Sequence, residues 1–403
     1  MINWCIFSLM MTSWFRRTQN QLQKAAIYDH KSIQNIRMTS IKIPSIRPGY
    51  SLVRVFSAGL NPVDAKMIIG DKVSESVAPY FTRIFTNYVV GFDFSGQIVE
   101  TTSADFMPGD CVFGFNYQLP PIGSGSLGGT LQEYALVPNH EIWKKPESLT
   151  FEQAAALPIV GVTALQAFEQ HDVRPGQKIL VIGASGGTGH IATSILTKKG
   201  IETVAICSTS NVKFVQSLGN DLTVLDYTAD DFMEQLDSYV DRKGKFDFVF
   251  DTVSSADSRD KEADYQNRIR SHNLIKKYGS PGEGDGSEVD KHNYVTLGGD
   301  FGSWWTALMK RLLNINWFSR GFELFWIKMD HSCDYLKELR KLCDEQGLCP
   351  EVSTVPFTEE GCRSAFKSLH PPKNEKRSTR GKIVVNVYNP DNGNDDNDYG
   401  HDN

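Results

Sequence analysis

The apolar positions of this chain change their rhythm near residue 149. Between residues 23 and 146 they fall in short runs broken by Gly, Pro and Asn, among them Ser51-Leu-Val-Arg-Val-Phe56, Tyr88-Val-Val90, Ser95-Gly-Gln-Ile-Val-Glu100 and Glu133-Tyr-Ala-Leu-Val137. Runs of this composition, bounded by turn formers, predict the strands of a small barrel or sandwich-like domain. Beyond Leu149, compact apolar runs alternate with helical patterns: Ile179-Leu-Val-Ile182, Thr203-Val-Ala-Ile206, Thr223-Val-Leu225, Phe248-Val-Phe250 and Tyr294-Val-Thr-Leu297. Strands apolar on both faces need cover on both, so crossover helices and a parallel, Rossmann-like sheet are predicted. The fold class is α/β, a β-rich domain joined to a parallel-sheet domain.

Composition narrows the function. A chain of 403 residues exceeds one core and fits two domains. Residues 254–277 alternate in charge and read as a solvated helix, followed by the flexible loop Gly279-Ser-Pro-Gly-Glu-Gly-Asp-Gly286. Residues 389–403 are Asn or Asp at ten of fifteen positions and can bury no core. Five Asp and no Lys or Arg lie in that tail, so it carries most of the net charge of -6 and the body is near neutral. No basic field exists to attract nucleic acid or an acidic membrane. The seven Cys are odd in number and form no CxxC pair, which points to reduced thiols. No run reaches the roughly 18 apolar residues of a transmembrane span. Residues 1–28 hold no acid; Trp4, Phe7, Trp14 and Phe15 are joined by Arg16, Arg17 and Lys24. This is the pattern of a mitochondrial presequence, the alternative being an untargeted extension on a cytoplasmic protein.

The strongest chemical signal follows the run at residues 178–182. Gly183, Gly186 and Gly189 form Gly-x-x-Gly-x-x-Gly between a buried strand and a helix predicted to begin near Gly187. That context suits a dinucleotide: small residues let the backbone approach a pyrophosphate, and the helix end offers free N–H groups. Such loops also serve as plain strand–helix turns, but the strand, helix and next strand are all present here. The next strand ends at Cys207-Ser208-Thr209-Ser210-Asn211, followed by Lys213. A fold choosing NAD usually places Asp or Glu there. Hydroxyls and an ammonium without a carboxylate suit a 2′-phosphate, so NADPH is the expected cofactor; an ordinary polar loop is the alternative.

Asn61-Pro-Val-Asp64, Gly91-Phe-Asp-Phe-Ser-Gly96, Pro108-Gly-Asp110, Gly129-Thr-Leu-Gln-Glu-Tyr134, Ala155-Ala-Leu-Pro158 and Val162-Thr-Ala164 precede the glycine loop. Leu218-Gly219, Asp226-Tyr227 and Gly381-Lys-Ile-Val384 follow it. In this order, from about Lys24 to Val387, they resemble the zinc-free quinone oxidoreductase group of the medium-chain dehydrogenases/reductases. Tyr294-Val-Thr-Leu297 and the Trp/Phe-rich stretch up to Met329 look like the reticulon-interacting mitochondrial oxidoreductase branch. The resemblance implies a GroES-like catalytic domain from residues 23–148 and 331–388, and a Rossmann NADP-binding domain over 149–330. Residues 1–22 are then an N-terminal extension or targeting segment, and 389–403 a disordered acidic tail. It implies hydride transfer from NADPH to a quinone or an α,β-unsaturated carbonyl.

Carried over by position, Asn61 lines the nicotinamide and substrate site and Thr163 contacts the nicotinamide, as the catalytic candidates. Gly183, Ser185, Gly186, Gly187, Thr188 and Gly189 cradle the pyrophosphate. Ser208 and Lys213 meet the 2′-phosphate and Tyr227 the adenosine half, while Asp251, Leu297 and Gly298 form the floor under ribose and nicotinamide. Plainer roles exist: Thr163 as a helix-interior hydroxyl, Tyr227 as a packing aromatic, Asp251 as a cap after its strand.

Departures from the family sharpen the expectation. Lys72 stands where the enoyl-thioester reductase branch has a proton-donating Tyr, which disfavours a 2-enoyl thioester reductase. A non-catalytic NADPH-binding scaffold is the rival from another class. Zinc-dependent relatives hold metal near the positions of Asn61 and Phe92-Asp93, and these residues cannot supply the N/S-rich set, so no metal is expected. His140 and His171 fall in predicted turns and read as surface residues. Gly321-Phe-Glu-Leu-Phe-Trp-Ile-Lys328 predicts an aromatic edge strand that would pair if left bare. A homodimer joined at sheet edges is therefore expected, unless Trp304, Trp305 and Trp317 fold over that strand.

Overall fold

The computed structural model describes residues 21–28, 32–69, 88–116, 128–253, 265–276, 293–298, 323–325, 327–328, 332–370 and 379–388. Residues 1–20, Lys72, the charged segment from Ser254 to residue 264, the loop at 279–286, Trp304, Trp305, Trp317 and the tail lie outside the described residues. The rest falls into two compact units, one within residues 1–159, 332–340 and 352–403, the other within 160–331 and 341–351.

The first unit is β-rich. It holds β1 (Leu22–Tyr28), β2 (Arg37–Lys42), β3 (Tyr50–Gly59), α1 (Pro62–Ile69), β4 (Tyr88–Val89), β5 (Asp93–Thr101), β6 (Cys111–Phe115), β7 (Tyr134–Pro138), β8 (Ile142–Lys144) and α2 (Phe151–Ala155). Val53, Val55, Phe94, Ile98, Val112 and Ala135 project from β3, β5, β6 and β7 into one buried cluster. Thr150 and Gln153 close a capping box at the start of α2, which fixes where that short helix begins.

The second unit is a wound α/β layer. After α3 (Pro158–Gln170) come β9 (Lys178–Ile182), α4 (Gly187–Lys198), β10 (Glu202–Cys207), α5 (Val212–Gln216), β11 (Thr223–Asp226), α6 (Phe232–Lys243), β12 (Phe248–Asp251), α7 (Tyr265–Ser271), β13 (Tyr294–Thr296) and β14 (Glu323–Leu324). The chain closes with α8 (Ser332–Gln346), β15 (Val352–Pro356), α9 (Glu359–Leu369) and β16 (Lys382–Asn386). The parallel sheet runs β11-β10-β9-β12-β13-β14. β9 sits inside it, buried at all five positions, as a strand covered on both faces must be. The order reverses on either side of β9, so the strand ends there form the topological switch point at which such sheets bind ligands.

The last strand matters most for the first unit. β16 pairs antiparallel with β3, Val384 opposite Gly59 and Val385 opposite Ala58, while β15 runs parallel to β16. That register carries Lys382 to the end of β3, next to Asn61.

One sequence expectation is corrected. His171 is buried, not a surface residue: Nδ1 lies 2.7 Å from the Ala167 carbonyl and Nε2 3.4 Å from the Glu323 carboxylate at β14. A turn does follow α3, but β12 and β14 pack over it, and that closure is not local to the sequence. His140 is exposed as expected. The predicted edge run is partly tied within its own unit. Leu324 and Phe325 are buried, and the Gln166 amide bonds both the N–H and the carbonyl of Lys328.

Candidate active site

The glycine turn after β9 is shaped by backbone. The N–H groups of Gly183 and Ala184 both donate to the Ile206 carbonyl, at 3.2 and 2.9 Å, which ties the turn to β10. Gly183 has φ +80°, and a Cβ there would strike Val253 and lie 2.6 Å from Thr252 Oγ1. Gly189 must also lack a side chain, because a Cβ would run into the Gly183 carbonyl. Gly186 is the N-cap of α4 and no side chain caps the helix. The first-turn N–H groups of Gly187, Thr188 and Gly189 thus have no side-chain acceptor, with the helix dipole behind them. Ser185 lies half-buried in the same turn. This cradle fits a diphosphate.

His190 supports the turn in a way the sequence did not suggest. Its ring is buried, with Nδ1 2.8 Å from the Gly186 carbonyl and Nε2 accepting the Glu351 N–H at 3.2 Å. Those partners fix the neutral tautomer with hydrogen on Nδ1.

Ser208 and Tyr227 follow the neighbouring ends of β10 and β11, tied by the Tyr227 N–H to the Cys207 carbonyl, and Lys213 lies on α5 just beyond. Ser208 accepts from the Asn211 amide at 3.0 Å, Lys213 is exposed on α5, and Tyr227 is 45% exposed with its ring edge-on to Tyr265. The register sets Cys207 opposite Asp226, and this brings in a carboxylate that the sequence reading held only as a motif residue. Thr209 Oγ1 donates to Asp226 at 2.5 Å and Thr228 Oγ1 at 2.6 Å. Burial pushes the Asp226 carboxyl up, but these hydroxyls outweigh it and hold the group below its ordinary value. Thr209 is therefore committed to Asp226, and Ser208, Ser210, Asn211 and Lys213 are the other polar groups of residues 208–213.

Asp251 is wholly buried and its carboxylate accepts from the Tyr294 hydroxyl at 2.6 Å and the Val253 N–H at 2.9 Å, the behaviour of a strand-end cap. The Leu297 N–H donates to the Asp251 carbonyl, and Gly298 closes a turn on the Thr296 hydroxyl. Thr163 is buried within α3.

In the first unit, Asn61 lies in a cluster of buried polar groups. It precedes Pro62 at the start of α1, and its N–H donates to Asp64 Oδ2 at 2.6 Å. Its amide faces elsewhere. Nδ2 donates to Asp93 Oδ2 at 2.9 Å, and Oδ1 accepts from Lys382 Nζ at 2.6 Å. Lys382 also donates to the Leu60 carbonyl at 3.0 Å and to Asp93 Oδ2 at 3.1 Å, while Asp93 Oδ1 accepts the Ile159 N–H at 3.0 Å. None of Asn61, Asp64, Asp93 and Lys382 is more than 3% exposed. Burial lifts the Asp64 carboxyl to about 8 against the opposing Asn61 N–H, so it is protonated at neutral pH; among the described residues its Oδ1 has no partner. Burial also raises Asp93, with Lys382 pulling it back. Every neighbour hydrogen-bonded to Asp93 is a donor, which identifies the carboxylate form. Of this cluster only Asn61 was given a functional role from the sequence; Asp64, Asp93 and Lys382 stood there as motif residues.

Residues 47–147 match the alcohol dehydrogenase GroES-like domain. Over 84% of its length the chain is 29% identical to "NAD(P)H oxidoreductase RTN4IP1, mitochondrial" of Mus musculus, covering 82% of that protein. Along most of its length the chain is thus similar to medium-chain dehydrogenases/reductases. A second relative, "NADPH-dependent alkenal/one oxidoreductase, chloroplastic" of Arabidopsis thaliana, is 31% identical over 58% of each chain. The quinone oxidoreductase structure from Coxiella burnetii superposes with a TM-score of 0.66 at 23% identity, covering 91% of this chain and all of that one. The residues matched to the GroES-like domain lie in the first unit, and the parallel sheet of the second is Rossmann-like. Among the described residues no group of three or more His, Cys, Asp or Glu could hold a metal ion, and no helix is long and apolar enough to cross a membrane.

Proposed function

We propose that this chain is an NADPH-dependent oxidoreductase that reduces quinones or α,β-unsaturated carbonyls without a catalytic metal. The observation that carries the cofactor is the uncapped N-terminus of α4 behind two glycines that admit no side chain. The N–H groups of residues 187–189 bind the diphosphate, and Ser208 with Lys213 takes the 2′-phosphate. Bound NADPH supplies the hydride. The second Asn61 amide hydrogen donates to the acceptor oxygen, where negative charge develops. Lys382 is no proton source, since its three hydrogens are used, so the proton balancing the hydride comes from water. A zinc ion would have to compete with the donors on both Asp93 oxygens. The acid-free N-terminus and a mitochondrial relative support a mitochondrial location. β14, last in its sheet among the described residues, supports a homodimer; a monomer mass by light scattering would contradict that.

Fluorescence titration with both cofactors tests the coenzyme assignment. NADPH should bind at least about tenfold more tightly than NADH, about 1.4 kcal/mol, and Lys213→Ala should weaken NADPH alone. Equal wild-type affinities would overturn it.

A further inference from the structure

We propose that Asp93 and Lys382 are positioning residues that clamp the Asn61 amide, presenting its second N–H as a strengthened donor to the acceptor oxygen. The proposal rests on the role given to Asn61 above. An Asn between a strand and a Pro-led helix ordinarily turns its side chain onto the helix's first N–H groups. Here it does not: Asp64 bonds the Asn61 N–H instead, and the amide swings to Asp93 and Lys382. An ammonium can only donate and an ionised carboxylate can only accept. The two partners therefore admit one amide orientation, with Oδ1 on Lys382 and Nδ2 on Asp93. A positive group at the oxygen and a negative one at the nitrogen polarise the amide in the same sense. At 3% exposure or less, water does not screen this. One Nδ2 hydrogen is held by Asp93; the Asn61 side chain also hydrogen-bonds the Asp64 carboxyl, a neutral partner that the acceptor oxygen displaces.

Stability alone does not account for such a pair, because a buried ion pair is often no better than a well-packed apolar one. Nor can Lys382 act as an acid while its hydrogens are held by Leu60, Asn61 and Asp93. What the pair can do is hold one amide in one pose. It acts through Asn61 and does not touch the acceptor.

The test uses the full chain as Asp93→Asn/Lys382→Met, which removes both charges together and leaves neither buried alone. In protein labelled with nitrogen-15 at Asn, the wild-type Asn61 amide should give two well-separated proton signals, one of them slow to exchange with solvent. In the double variant the separation should collapse and the protection vanish. In turnover, kcat should fall by about tenfold or more, as for a misplaced oxyanion donor, with the NADPH dissociation constant within about twofold of wild type. Adding Asn61→Ala to the double variant should cost nothing further, because the pair works through that amide. An unchanged Asn61 signal, an unchanged kcat in the folded double variant, or an additive loss with Asn61→Ala would each overturn the clamp. Should the wild type turn over no acceptor, the functional reading fails by itself, and the Asn61 signals still decide the clamp.

Discussion

The glycine turn after β9 is built of backbone from seven consecutive positions, 183–189, whereas the Asn61 cluster is built of side chains from positions 61, 64, 93 and 382. The turn leaves polar groups open, since no side chain caps α4. The cluster closes nearly all of its own: Lys382 spends every hydrogen and Asp93 fills both oxygens. An open backbone cradle suits a charged ligand that arrives from water. A closed, charged interior suits a group that must keep one pose. One chain thus shapes one region by the absence of side chains and the other by pairing them.

The two regions should therefore break differently. The largest effect is expected from Lys382→Met alone, which strands a buried Asp93 carboxylate and should lower unfolding free energy in urea by about 3–5 kcal/mol. Adding Asp93→Asn should recover much of this. A loss below about 1 kcal/mol would mean the pair is solvated.

In the turn, Gly189→Ala forces a methyl group against the Gly183 carbonyl. NADPH affinity should drop by about a hundredfold, or about 2.7 kcal/mol, while urea stability falls by only about 1–3 kcal/mol. Unchanged titration curves would show that the turn does not meet the cofactor.

Asp64 separates the regions by pH. Its folded value of about 8 lies above its ordinary 3.8, so the folded state holds the proton more tightly. The stability this contributes is full below about pH 4 and lost as pH rises toward 8, at up to about 1.4 kcal/mol per unit. Asp64→Asn should remove that slope from urea midpoints measured across the window; an identical slope would place a charged Asp64 in the native protein.

The smallest effect belongs to His190→Ala. The Gly186 carbonyl loses one of two donors and the Glu351 N–H loses its acceptor, worth about 1 kcal/mol. The KM for NADPH should rise by about fivefold with kcat unaltered, and a change confined to kcat would contradict the supporting role.

Legibility followed the same divide. The strands at 179–182, 203–206 and 248–250 and the helix starting at Gly187 could be read from the sequence because their signals are local. β2, whose six residues are all at least partly exposed, carries no such signal; its pairing with β1 makes it a strand. Asn61 was legible through its motif, but Lys382 reached it only through the β16–β3 register. Asp226 was legible only as a motif residue, because its place beside the loop after β10 depends on two parallel strand ends lying side by side. Pairing those ends on paper would have found it. His171 was misread for want of the strands that cover it.

The proposed activity is tested by mixing the purified full chain with NADPH and a panel of quinones, enals, enones and enoyl thioesters, following the reduced nicotinamide absorbance. Consumption is expected with quinones or with enals and enones, and Asn61→Ala should be slower by about a hundredfold, the usual loss for an oxyanion donor. Tight NADPH binding without turnover of any acceptor, or turnover of thioesters alone, would contradict it.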